Sequence, residues 1–307
     1  MIQKSLLLVG KETLEWNSNE LPPLKKDEIL IKTIATAISI GSELPQYKET
    51  DITDARSIYP RKVGYESYGE IIEMGFDVKS FSIGDKVIAF YGQRNLGIVK
   101  EHNAFKVPEE IDYLTALLAI LSCDAAKGVL KLNPVEDNKV IVTGMGTIGL
   151  LTVYFLRNYC NVKHIDVFEP NNKRWDIAKS FGVNHIFPST EIAVGYYDYG
   201  IECSSQNSAF SILQKSVKSN SEICVLSDGN IEPFTLLPEF HEKELRIIGS
   251  SDGWDYKKHS EWFFKTVSVT PYVKNIFQHE IKYDRLIQCF EELRKGEITP
   301  IKVSVIY

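Results

Sequence analysis

Residues Lys139–Gly149, KVIVTGMGTIG, constrain this chain more than any other stretch. A β-branched run, Val140-Ile141-Val142, leads into Gly144-x-Gly146-x-x-Gly149, and an apolar segment at helical spacing, Leu150–Leu156, follows. Each glycine has a physical reason. Gly144 permits a tight strand-to-helix turn, Gly146 lets a diphosphate approach the backbone, and Gly149 lets the helix pack close to the strand. Thr147 and Ile148 open that helix, whose N-terminus aims N–H groups at the phosphate. The next strand, His164–Phe168, ends at Glu169, 20 residues beyond Gly149. That is the spacing at which an acid meets the adenosine ribose. A glycine turn can be purely structural, but strand, helix and acid together point to a bound dinucleotide.

Around this unit the chain changes character twice. Residues 1 to about 110 read as β-rich, with strands expected at Glu28–Ile34, Tyr68–Glu73 and Lys86–Phe90 and glycine turns between them. Leucines at 114, 117, 118 and 121 then predict a helix over 112–130. Beyond the glycine motif, a helix is expected at Asn171–Phe181, with Gly182 past its end. Strands at Tyr197–Cys203, Glu222–Ser227 and Glu244–Gly249 alternate with helices at Gln206–Val217 and Lys257–Val267. Such alternation predicts a parallel sheet covered on both faces. The last part returns to mixed structure: strand Ile276–Ile281, helix Asp284–Lys295 stopped by Gly296, and strand Ile301–Ile306.

Composition excludes several classes. A length of 307 residues suits two domains, and a net charge of −6 without a basic stripe gives no reason to expect nucleic acid. The apolar runs look interrupted well short of the roughly 20 residues of a membrane span. The N-terminus reads as a strand, not a signal peptide. The five cysteines are scattered and never form a CxxC pair, as in a reduced, cytoplasmic protein.

Taken in order, these parts resemble the medium-chain dehydrogenase/reductase superfamily of the zinc alcohol dehydrogenase type. Gly41-Ser42-Glu43-Leu44 resembles its GTDL or GSDL stretch, and Val63–Gly69 its GHExxG signature. Phe81–Val87 resembles its GDxV turn, and Lys243-Glu244-Leu245 with Gly249-Ser250 its KEL…GS run. The resemblance implies an α/β fold: a doubly wound parallel Rossmann sheet plus a β-rich GroES-like catalytic domain. The expected division is 1–119, completed by 269–307, for the catalytic domain and 120–268 for the Rossmann domain. Compact length and the GYES stretch are similar to the bacteriochlorophyllide a dehydrogenase branch.

The departures bear on mechanism. Ile40 stands where zinc members carry a cysteine, and Tyr65 replaces the histidine of GHE. The third ligand falls near Ile120, with Cys123 close by, and the four-cysteine structural lobe has no counterpart in Lys86–Lys106. One thiolate and Glu66 do not make the three protein ligands of a catalytic zinc, so no metal is expected. Hydrogen-bond donors must then carry the charge that develops on a substrate oxygen. By the resemblance, Ser42 begins a proton relay, Tyr65 donates to the substrate oxygen, and Glu66 orients the phenol or acts as a buried acid or base. Plainer roles remain open: Tyr65 as space filler, Glu66 as a structural carboxylate, Ser42 as a turn hydroxyl. Asp124 and Lys127 fit a solvated helix face better than catalysis, and His102 is at most a pocket-edge residue.

Glu169 favours NAD over NADP, since a carboxylate accepts from both ribose hydroxyls and repels a 2′-phosphate. The resemblance adds Arg174 on the following helix, Lys302 on the diphosphate, and Cys203, Ser204, Ser227, Gly249 and Ser250 around the nicotinamide. The expected activity is an NAD-dependent, zinc-independent interconversion of a secondary alcohol and a ketone. A quinone or enone reductase and a non-catalytic NAD(H)-binding protein are the alternatives. Expected partners are a small-molecule substrate and a second copy of the chain, with neither nucleic acid nor membrane.

Overall fold

The computed structural model of the chain describes residues 1–54, 57–189 and 191–307. Two compact units divide it: Met1–Ala119 with Ser260–Ser268 and Phe277–Tyr307, and Ile120–His259 with Val269–Ile276. Against the expected division, 260–268 belong to the first unit and 269–276 to the second.

The first unit begins with a hairpin, β1 (Ile2–Gly10) and β2 (Thr13–Glu20), followed by the long β3 (Glu28–Ile38). The short helix α1 (Ile40–Lys48) and β4 (Arg61–Lys62) follow, then β5 (Ser67–Met74), β6 (Lys86–Ala89), β7 (Leu96–Lys100) and β8 (Ala104–Lys106). Strands β2, β1 and β4 make one small sheet. Alternation along β3, β5 and β6 sends Ile29, Ile31, Ile71, Val87 and Ala89 into one buried cluster.

Helix α2 (Tyr113–Leu132) runs from the first unit into the second. It corrects the expectation about apolar runs: its 20 residues are long and apolar enough to cross a bilayer. However, 72% of its apolar window is buried inside the protein, as in a core helix.

In the second unit, β9 (Lys139–Thr143), α3 (Thr147–Asn158), β10 (His164–Phe168), α4 (Trp175–Ser180) and β11 (His185–Phe187) form one half. The other half holds β12 (Tyr197–Glu202), α5 (Asn207–Ser216), β13 (Val217–Val225), α6 (Pro238–Glu242), β14 (Arg246–Gly249) and the start of α7 (Tyr256–Val267). The six strands pair in parallel in the order β11-β10-β9-β12-β13-β14. This is the doubly wound Rossmann order, with its switch point between β9 and β12. Their β-branched runs are buried on both faces, as parallel strands require: Val140, Ile141, Val142, Ile165, Val167 and Ile223 are sealed from solvent. The helix expected over 171–181 is split: a 3-10 turn, Asn172–Arg174, precedes α4, and the Asn171 side chain caps that turn through the Lys173 N–H.

The chain then returns to the first unit with β15 (Phe277–Lys282), α8 (Leu286–Lys295) and β16 (Lys302–Ile306). β16 lies between β15 and β3, so the last strand sits inside the seven-stranded sheet. Phe290 and Leu293 of α8 pack with Leu6, Leu8, Ile38 and Val303.

Candidate active site

The glycine turn is built as its spacing requires. Gly144 adopts φ +78°, a conformation open to glycine, and a Cβ there would press on Ser204. A Cβ on Gly149 would lie 1.8 Å from the Gly144 carbonyl oxygen, so that contact admits no side chain. Gly146 differs: its φ is −81°, and a Cβ would meet nothing within 4 Å. Open space above Gly146, at the start of α3, is what an approaching diphosphate needs. The residues present therefore fit a dinucleotide.

Glu169 closes the turn from the side. Its carboxylate, 3% exposed, accepts from the Met145 N–H at 2.7 Å and the Asn171 N–H at 2.8 Å. Arg174 approaches it at 3.4 Å, and the Trp175 indole N–H donates to its carbonyl. Oε2 takes both Met145 and Arg174, while Oε1 keeps a further lone pair, so the carboxylate can accept a ribose hydroxyl while holding the loop.

The remaining cofactor candidates lie at the carboxyl ends of β12, β13 and β14. Cys203 donates its N–H to the Thr143 carbonyl, and burial lifts its thiol well above the usual range. Ser204 bonds the buried Glu202 carboxylate, which also takes the Thr143 hydroxyl. Ser227 bonds Asn230, while Ser250 anchors its N–H on Val225 and leaves a buried hydroxyl without a partner. Lys127 and Lys131 donate to the carbonyls of Ser251 and Gly249 at 2.6 Å. Lys127 thus secures the loop after β14, and Asp124 accepts from the Tyr256 hydroxyl.

In the first unit, the start of α1 brings a second group together. Ser42 Oγ lies 3.4 Å from the Tyr65 hydroxyl, and Ser39 Oγ donates to Glu66. Lys302 bonds Glu66 at 2.7 Å and Ser39 at 2.9 Å. Lys302 and Glu66 are 0% and 1% exposed. Burial first, and the Glu66 charge second, push the Tyr65 phenol well above its ordinary pKa, so it stays protonated. Glu43 accepts the Ser39 N–H at 2.7 Å and leaves its other oxygen buried without a partner. Burial raises its carboxyl to about 8.

Lys302 was expected at the diphosphate by resemblance; here β16 lies antiparallel to β3 with Val303 opposite Ile38. That register puts the ammonium against Ser39 and Glu66, sealed from solvent. Ser39, Glu43 and Glu202 escaped the sequence analysis. Glu43 stands in the quoted Gly41–Leu44 stretch, whereas Ser39 carries no local signal. Among the described residues, no three His, Cys, Asp or Glu side chains gather as a metal site. Cys123 is buried, and desolvation pushes its thiol up to about 12, against the thiolate a metal needs.

Comparison with known proteins gives the following likenesses. Residues 25–108 match the alcohol dehydrogenase GroES-like domain. L-threonine 3-dehydrogenase of Burkholderia thailandensis is 28% identical over 247 residues, 67% of this chain and 71% of that protein. Among solved structures, galactitol-1-phosphate dehydrogenase from Escherichia coli superposes with a TM-score of 0.86 at 18% identity, covering 99% and 100% of the two chains. Acetophenone reductase from Geotrichum candidum, solved with NAD, gives 0.84 at 19%, covering 100% and 97%. These likenesses bear out the resemblance to the alcohol dehydrogenase-like branch of the medium-chain dehydrogenase/reductase superfamily and support an oxidoreductase.

Proposed function

We propose that the chain interconverts a secondary alcohol and a ketone, with NAD(H) as hydride partner and no metal ion. The observation that carries this is the Ser42–Tyr65–Ser39–Glu66–Lys302 group in the first unit, half-buried at Ser42 and Tyr65 and closed off from solvent at Ser39, Glu66 and Lys302. A phenol kept protonated by burial is a hydrogen-bond donor for a substrate oxygen. In ketone reduction Tyr65 gives its proton to that oxygen and regains one through Ser42; in alcohol oxidation the proton returns. The Glu66–Lys302 pair balances its own charge and holds Ser39 in place. The nicotinamide, when bound, supplies the hydride chemistry. Gly144, Gly146, Thr147, Ile148, Gly149 and Glu169 would hold the nucleotide, with Arg174, Cys203, Ser204, Ser227, Gly249 and Ser250 around it. Glu169 supports NAD over NADP. The names of the relatives, dehydrogenases and a ketone reductase solved with NAD, point the same way.

The same reading makes the protein a cytoplasmic homodimer. Its supports are five cysteines without disulfides and β14 as an edge strand of the six-stranded sheet. Steady-state assays with secondary alcohols, ketones and enones, each with NAD(H) and NADP(H), test the activity. Ketone reduction with NADH is expected. Enone reduction with NADPH alone would overturn the proposal in favour of a quinone reductase.

A further inference from the structure

Arg94 is 8% exposed, yet among the described residues its guanidinium has no hydrogen bond and no ion pair. Its Nε is sealed from solvent without an acceptor. A cation withdrawn from water without an anion is costly, and proteins ordinarily pair such a group.

The strand register shows what stands beside it. Arg94 bridges Ser5 on β1, and Lys62 of β4 pairs with Leu7. Residues 5 and 7 share one face of β1, so their cross-strand neighbours share it too. Arg94 and Lys62 therefore lie along the same edge of β1, roughly 7 Å apart at strand spacing. Lys62 is exposed, and the Arg94 charge is the first cause of its lowered pKa.

The other groups around Arg94 are uncharged. Tyr91 and Tyr307 are held protonated by burial, and Thr33 donates to the Arg94 carbonyl at 2.6 Å. The carboxylate that the register brings to this face is Glu15, opposite Leu7 on β2. Among the described residues it pairs with neither cation.

We propose that Arg94 and Lys62 hold a small oxyanion, the phosphate or carboxylate group of a ligand. The guanidinium fork matches two oxygens at once, and the ammonium adds a point charge beside them. The site lies wholly in the first unit and does not depend on the hydride chemistry.

Thermal unfolding and calorimetry with inorganic phosphate, at ionic strength held constant with chloride, test this. In the wild-type protein phosphate raises the melting temperature saturably. Lys62→Gln weakens binding at least tenfold, and Arg94→Met abolishes it. NADH titration of each variant reports whether the second unit is intact, and Lys62→Gln carries the test if Arg94→Met does not fold. Sodium acetate in place of phosphate distinguishes the groups: a response to both assigns a carboxylate-tolerant site, and a response to phosphate alone assigns a phosphate site. No saturable response beyond chloride to either anion, or an unchanged response in both variants, overturns the proposal.

Discussion

Lys302 and Glu66 meet at 2.7 Å with both side chains closed off from solvent, across 236 residues of chain. A pair this deep is held by geometry, because removing either partner leaves a buried charge alone. Lys302→Met and Glu66→Gln are each expected to cost about 3–5 kcal/mol of stability. The double variant should be less damaging than the sum of the two, because neither charge is then left unpaired. Urea unfolding of the four proteins of this cycle measures the coupling.

The three glycines of the turn should separate fold from binding. Gly149→Ala drives a methyl into the Gly144 carbonyl and should destabilise the protein by about 1–3 kcal/mol or more. Gly146→Ala has room and an ordinary φ, so the melting temperature should hold while NADH affinity falls at least tenfold. Thermal unfolding beside NADH titration reads both. Equal loss of stability in the two variants would contradict the assignment of the space above Gly146 to the diphosphate.

Glu43 gives a pH dependence with a definite sign. Its carboxyl stands at about 8 when folded against 4.5 otherwise, so the fold favours the protonated form. Stability from this group is complete below pH 4.5 and is lost as pH rises towards 8, by roughly 1.4 kcal/mol per pH unit. Glu43→Gln mimics the protonated state. Its stability relative to wild type should grow across pH 5 to 8 and level off above, as urea unfolding at a series of pH values will show.

Chelation should leave the protein unchanged. Neither the melting temperature nor the NADH affinity should move after dialysis against EDTA, and elemental analysis should find zinc far below one per chain. Stoichiometric zinc would overturn the mechanism built on Tyr65.

Glu169→Ser should shift nucleotide preference. Removing the carboxylate lifts the repulsion of a 2′-phosphate and frees Arg174, which now lies 3.4 Å from it. The ratio of NADPH to NADH dissociation constants should fall at least tenfold. The variant also loses acceptors for the N–H groups of Met145 and Asn171, so some stability goes with it.

What could be read beforehand was what is local in the chain. The glycine turn, the strand ending at Glu169 and the alternating elements of the second unit each occupy a short window. Their periodicity and spacing carry the geometry. Lys302 shows where this fails: its partners are fixed by the register of β16 on β3, a long-range pairing that no window contains. Ser39 was invisible for the same reason, its role arising from residues far along the chain. Arg94 drew no comment in the sequence, because only its pairing with β1 sets it beside Lys62. Helix α2 was underestimated because Asp124 and Lys127 break its apolar run, yet both find partners in the folded protein.

The place of β16 also dictates an order of events during synthesis. Ser39 and Lys302 are 263 residues apart, and β3 lacks its β16 neighbour until residues 302–306 have left the ribosome. The second unit, by contrast, has all six strands of its sheet once Gly249 has emerged. It is thus equipped to fold while residues 35–38 of β3 wait without a partner on one side, a short bare edge of the kind that invites pairing with other chains.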